Sequence, residues 1–122
     1  MERVEEFSRD GKNIVYIDFS GLTKSGDFVD ISEKITSTIA KYPEHSVYTI
    51  TNIENIRLDS NSKKLVLSYL ENNHPYVKYG VIIGLDGIKK MLVSSIMKQS
   101  GRSDYGFAFT KKGAIDFILH HE

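Results

Sequence analysis

The amino-acid sequence predicts an α/β fold with a mostly parallel sheet of four or five strands, in a single domain spanning 1–122. Two observations lead there. Apolar runs rich in β-branched residues alternate with segments of helical periodicity, in the order ββαβαβαβα. Strands separated by helices of about a dozen residues call for crossover connections and parallel pairing. The composition, 40% hydrophobic and 26% charged over 122 residues, is that of a globular domain. A chain of this length can bury roughly two-thirds of the surface its unfolded form exposes, enough for one core.

Each element has its own signature. "RVEEF", "RDGK" and "NIVYIDF" predict a hairpin turning at Asp10-Gly11, with the first strand as an antiparallel edge. The second strand is apolar at nearly every position except Asp18, as in a strand covered on both faces. From Asp27, the spacing of Phe28, Ile31, Ile35, Ile39 and Tyr42 predicts an amphipathic helix ended by Pro43. "SVYTITNI" predicts a strand, followed by a helix over about Ser60–Glu71 that buries Leu65, Val66, Tyr69 and Leu70. "YVKYGVIIGL" is the next strand. "DGIKKMLVSSIMKQSG" predicts a helix capped by Asp86 and ended at Gly101, with Ile88, Met91, Leu92, Ser95 and Ile96 on its inner face. "YGFAF" is a short strand, and Thr110 caps a final helix with Ala114, Phe117 and Ile118 inward.

Charge and composition exclude several classes of function. Net charge is zero, which argues against a general nucleic-acid binder. The zero hides a split: residues 1–60 carry 7 Lys/Arg and 11 Asp/Glu, residues 61–122 carry 9 and 5. The absence of cysteine removes disulfides and thiolate chemistry. His45, His74, His120 and His121 lack zinc-ligand spacing, and no Gly-x-Ser-x-Gly elbow is present. No cofactor is expected. No run approaches the ~20 apolar residues of a membrane span, and "MERVEEFSRDG" lacks an apolar signal core, so a cytoplasmic protein is expected.

The stretch "VYTITNIENIRLDSNSKKLVL" resembles the strand-loop-helix of STAS domains, the anti-sigma-factor-antagonist group with the SpoIIAA-like fold. "NIVYIDFSG", "NNHPYVKYGVIIGLDGIKKMLV" and "SGRSDYGFAFTKKGAIDFIL" resemble stand-alone STAS and CRAL-TRIO-like proteins of unknown function. The likeness covers about residues 10–119 and implies a right-handed β/α superhelix. Family members phosphorylate a serine at the helix start. In the matching register Asn61 occupies the acceptor position and Ser62 that of the following glycine, leaving Ser60 and Ser62 as the neighbouring hydroxyls. Asp59 or Ser60 as an N-cap explains the stretch without modification.

Three lysine pairs, Lys63-Lys64, Lys89-Lys90 and Lys111-Lys112, fall in the first turns of predicted helices, where they oppose the helix dipole. Helix N-termini in a parallel β/α array gather at the carboxyl edge of the sheet, the usual ligand edge. These lysines, with Gly84, Asp86 and Gly87 of "GLDG" and with Asp18, form the candidate site for a small anionic or lipid ligand or an acidic protein partner. The expected function is a non-enzymatic regulatory or binding module, with homodimerisation through a sheet edge a further option. The alternative is a carrier of lipid or another small hydrophobic ligand, or an enzyme, with a pocket beside Asp18 and Gly84–Gly87.

Overall fold

The computed structural model describes residues 3–22, 25–57, 64–65, 68–69, 72–99, 101 and 104–120; of residues 25, 88, 89, 92 and 96 only the backbone is described. Five strands form one mixed sheet in sequential order: β1 (Val4–Arg9), β2 (Lys12–Asp18), β3 (Val47–Asn52), β4 (Val77–Ile83) and β5 (Tyr105–Phe107). β1 is antiparallel to β2, and every other neighbouring pair is parallel. The helices are α1 (Ser25–Ile39), α2 (Gly87–Gln99) and α3 (Lys111–Leu119). Helical residues 64–65, 68–69 and 72–73 lie between β3 and β4. The α/β class, the antiparallel first strand and the parallel remainder agree with the sequence.

The hairpin turns as its sequence requires. Asp10 and Gly11 both have positive φ, 51° and 78°, the combination of a two-residue type I′ turn. Arg9 and Lys12 flank it in register. Strand alternation then divides the core into two layers. On one face Val15, Ile17, Val47 and Ile82 pack beneath Phe28, Ile35 and Ile39 of α1, Tyr69, and Val93 and Met97 of α2. On the other, Ile14, Tyr48, Ile50, Val81 and Ile83 pack against Ala114 and Ile118 of α3. Among the described residues, the helical segments between strands thus cover one face, and the C-terminal helix alone covers the second.

Four details differ from the sequence reading. First, α1 ends at Ile39 rather than running to Pro43, because Lys41 and Tyr42 donate to carbonyls three residues back and tighten the chain out of the helix. Tyr42 remains packed at the core margin. Second, the helical residues before β4 reach Asn73, past Glu71, and stop at His74-Pro75; the proposed start at Ser60 and the residues Val66 and Leu70 lie outside the described residues. Third, α2 buries Val93 and Met97, whereas Met91 is 76% exposed and Ser95 is exposed. Six of its residues are apolar and span more than half its circumference, so periodicity alone does not select a face. Fourth, Phe117 is 43% exposed and stacks on Tyr79, with ring centroids 5.7 Å apart, instead of entering the core.

Polar staples fix the margins. The Tyr42 hydroxyl donates to Glu6 Oε1 at 2.7 Å, and Lys41 Nζ reaches Glu6 Oε2 at 3.4 Å, tying the exit of α1 to β1. The Tyr42 hydrogen bond is the main cause holding Glu6 below the ordinary carboxylate range, and the same bond pushes the Tyr42 phenol up. The stabilisation is lost as pH falls through the depressed Glu6 value below 4.5, and as pH rises through the raised Tyr42 value above 10.0. The stability gap between the wild-type chain and Tyr42→Phe should therefore be flat from about pH 5 to 9 and shrink at both ends, as read by urea unfolding across pH.

Gly84 and Gly101 both have positive φ, +82° and +75°, but differ in their surroundings. A Cβ at Gly84 would come within 2.6 Å of the Glu54 backbone nitrogen and 2.7 Å of Asn52 Oδ1, while one at Gly101 would meet nothing. Gly84→Ala should cost about 3 kcal/mol and Gly101→Ala about 1 kcal/mol in denaturant unfolding, the difference being the steric part.

Candidate functional site

The carboxyl edge of the sheet, where the sequence places the site, is laced to itself. Asp18 ends β2, and its Oδ1 accepts from the Ser20 N–H at 2.8 Å. Asn52 ends β3 with the same device, its Oδ1 accepting from the Glu54 N–H at 3.0 Å. Both are Asx turns, in which a short side chain supplies the bond that the strand no longer makes. Arg3 clamps the first turn: its Nη1 donates to the carbonyls of Asp18 and Ser20, each at 3.0 Å, and lies 4.0 Å from Asp18 Oδ1. Backbone bonds then join the loops, from Phe19 N to Asn52 O, from Gly21 N to Glu54 O and from Ile53 N to Ile83 O. Gly84 fits the same lacing, since the space its missing side chain leaves is taken by Glu54 and Asn52. Asp18 and Gly84 thus have a complete structural account.

The lysines divide between two faces. Lys90 Nζ lies 5.2 Å from the centroid of the Phe107 ring, which packs on the α1–α2 layer. Lys111 Nζ lies 4.4 Å from the Tyr16 ring and 5.5 Å from Phe7, on the α3 side, and pairs with Glu5 at 3.2 Å. These two ammonium groups rest on opposite faces of the sheet rather than side by side. Lys64 and Lys112 are exposed. Lys63, Ser60 and Ser62 lie outside the described residues, as does the Lys89 side chain. Asp86 holds the N-cap position of α2, its carbonyl accepting from the Lys90 N–H at 2.9 Å. Gly87 is exposed, with open space where a side chain would stand.

What α2 does present is an open groove of ≈ 430 Å³ lined by Gly87, Lys90, Met91, Ser94, Ser95 and Lys98. Lys90, Ser94 and Lys98 stand four residues apart on one helical stripe, with Gly87, Met91 and Ser95 beside them. Two cations, two hydroxyls and an exposed thioether therefore share one surface. The sequence reading found Gly87 and Lys90 but placed Met91 and Ser95 inside and missed Ser94 and Lys98. The four-residue recurrence Lys90-Ser94-Lys98 was the signal available.

On the opposite face, the Tyr79 phenol is pushed up, chiefly by burial, with the charge of Asp104 and then Tyr105 adding to it. Among the described residues no three His, Asp or Glu side chains are grouped to hold a metal ion. No helix is long and apolar enough to cross a membrane among the same residues. The fold and surface define an α/β protein with helices on both faces of a mixed sheet and an exposed cationic helix groove. No family model matches the chain, and no curated protein sequence matches it.

Asp18→Ala should lower stability by about 2 kcal/mol, because a carboxylate acceptor is lost and Arg3 loses its anionic neighbour. The change should leave amide chemical shifts along α2 in place, which a two-dimensional NMR spectrum would read.

Proposed function

We propose that this chain is a SpoIIAA-like, STAS-type binding module that docks an acidic protein surface onto the outer face of α2. The single observation that carries this reading is the groove in which Lys90 and Lys98 flank an exposed Met91. Lysine supplies compact, mobile positive charge without the fixed fork of arginine, which suits an acidic surface more than one planar anion. Methionine supplies an adaptable apolar contact, a common feature of surfaces that receive protein partners. Ser94 and Ser95 add hydroxyls able to donate to carboxylates. The fold assignment draws on the sequential strand order, the antiparallel edge and the placement of α1 and α2 on one face with α3 on the other, with the right-handed crossovers usual for such connections.

Regulation by partner binding is the form of activity that fits this surface. A pocket beside Asp18 and Gly84, as a carrier or an enzyme would use, draws less support, since both residues are engaged by neighbouring loops.

The test is an NMR titration of the labelled chain with a decaglutamate peptide at low salt. Shifts should concentrate at Gly87, Lys90, Met91, Ser94, Ser95 and Lys98, weaken on raising the salt to about 0.5 M, and disappear in Lys90→Glu/Lys98→Glu. Shifts elsewhere, or shifts unchanged in the double variant, would refute the reading.

A further inference from the structure

We infer that β1 is a self-pairing edge: two copies of the chain join their sheets antiparallel through β1, centred on Phe7. The sheet has two edges, and they are unequal. β5 has three residues, too short to template a partner strand, whereas β1 has six. Within β1 the direction of each backbone group follows from the hairpin. Arg9 and Lys12 flank a two-residue turn and form a bonded pair, so Phe7 and Glu5 also bond to β2. The next step of that alternation is seen directly, in the bond from Asp18 N to Arg3 O at 2.7 Å. The N–H and C=O groups of Val4, Glu6 and Ser8 therefore point away from β2. Among the described residues, no backbone hydrogen bond from another element reaches them.

Charge then selects the occupant and the register. About a twofold axis normal to the sheet, facing residues must lie on the same face, so the axis passes through a residue rather than between two. Centred on Glu5 or Glu6, that glutamate would meet its own copy. Centred on Ser8, Glu6 would meet Asp10. Centred on Phe7, Glu5 of each copy faces Arg9 of the other, Glu6 faces Ser8, and the two Phe7 rings meet. Glu5, Glu6, Ser8 and Arg9 are exposed and Phe7 is half-buried. The same register makes Glu6–Ser8 the hydrogen-bonded pair, using the outward backbone groups. It leaves Glu5–Arg9 and Phe7–Phe7 as non-bonded pairs, about 4.5 Å apart at Cα, where side chains approach most closely. Every residue-centred register uses the outward backbone groups, and among those centred on Glu5 to Ser8 charge selects the one at Phe7. The strand is self-complementary, as an isologous interface requires, so the partner it fits is a second copy.

Because the chain has no cysteine, single cysteines report the register directly. Under mild oxidation Phe7→Cys should form a disulfide-linked dimer, because its Cα pair falls within bridging distance. Glu5→Cys or Arg9→Cys alone should not, because each lies about 13 Å along the strand from its own copy, while a mixture of the two should cross-link. Sedimentation of the wild-type chain should show a dimer. Arg9→Glu should weaken it at least tenfold, and Glu5→Arg/Arg9→Glu should restore it, with circular dichroism confirming that each variant is folded. A wild-type chain that stays monomeric at a few hundred micromolar would overturn the inference. So would Arg9→Cys linking to itself as readily as Phe7→Cys, or a dimer that Arg9→Glu leaves unchanged.

Discussion

Burial of both faces of β2, β3 and β4 is the constraint on which the rest of this structure depends. Ile14, Val15, Ile17, Val47, Ile50 and Val81 are wholly buried, and in a pleated strand successive side chains point to opposite sides. Neither face can be left to water, so two covering layers are needed. The helical segments between strands supply one layer, since a parallel pair requires a crossover over the sheet. Among the described residues, α3 alone forms the other layer.

That inequality explains the distribution of cations on the second face. Nine helical residues reach about 14 Å, while five strands span about 19 Å, so α3 cannot cover the sheet. Aromatics on this face are also roofed by long basic side chains. Arg9 and Lys111 lie over Phe7, Lys111 also over Tyr16, and Lys12 and Lys78 over Tyr48. Lys78 is placed for this by the register shift between Val47 and Tyr48, which leaves it as the extra residue in β4. Lys12 serves twice, because its Nζ also donates to the Ile118 carbonyl at 2.8 Å and so satisfies the C-terminal end of α3. Each such contact is worth about 0.5–1 kcal/mol at an exposed site, and the aliphatic stems add shielding. Much of the basic charge that looked available for a ligand is therefore spent on covering the sheet.

The same constraint shapes the surface proposed for binding. Among the described residues, Asx turns at Asp18 and Asn52, the Arg3 clamp and the close fit at Gly84 engage the ends of β2, β3 and β4 with one another. The exposed stripe of α2 presents Lys98, Ser94, Ser95 and Met91, with Lys90 at its margin over Phe107, because among the described side chains Val93 and Met97 are the buried ones. A cationic helix face on one side of the molecule and a self-complementary strand at its edge would leave dimerisation and partner docking physically separate.

The sequence by itself determined the class and order of the described elements, the hairpin turn and the burial of β2 on both faces. These are local properties: turn conformations at Asp10-Gly11, the capping hydroxyl of Thr110, which accepts from the Gly113 N–H, and apolar alternation in β2. The engagement of Asp18 by its own loop is equally local, since its partner lies two residues away. Only the tertiary structure decided which face of α2 is buried, since six apolar residues leave that helix without a unique amphipathic direction. Only it separated Lys90 from Lys111, because a helix can follow a strand on either side of a sheet and the first-turn position looks the same in sequence. The engagement of Lys111 by Glu5 and Tyr16 joins residues about a hundred positions apart, a proximity created by folding the hairpin against the last helix and carried by no local pattern.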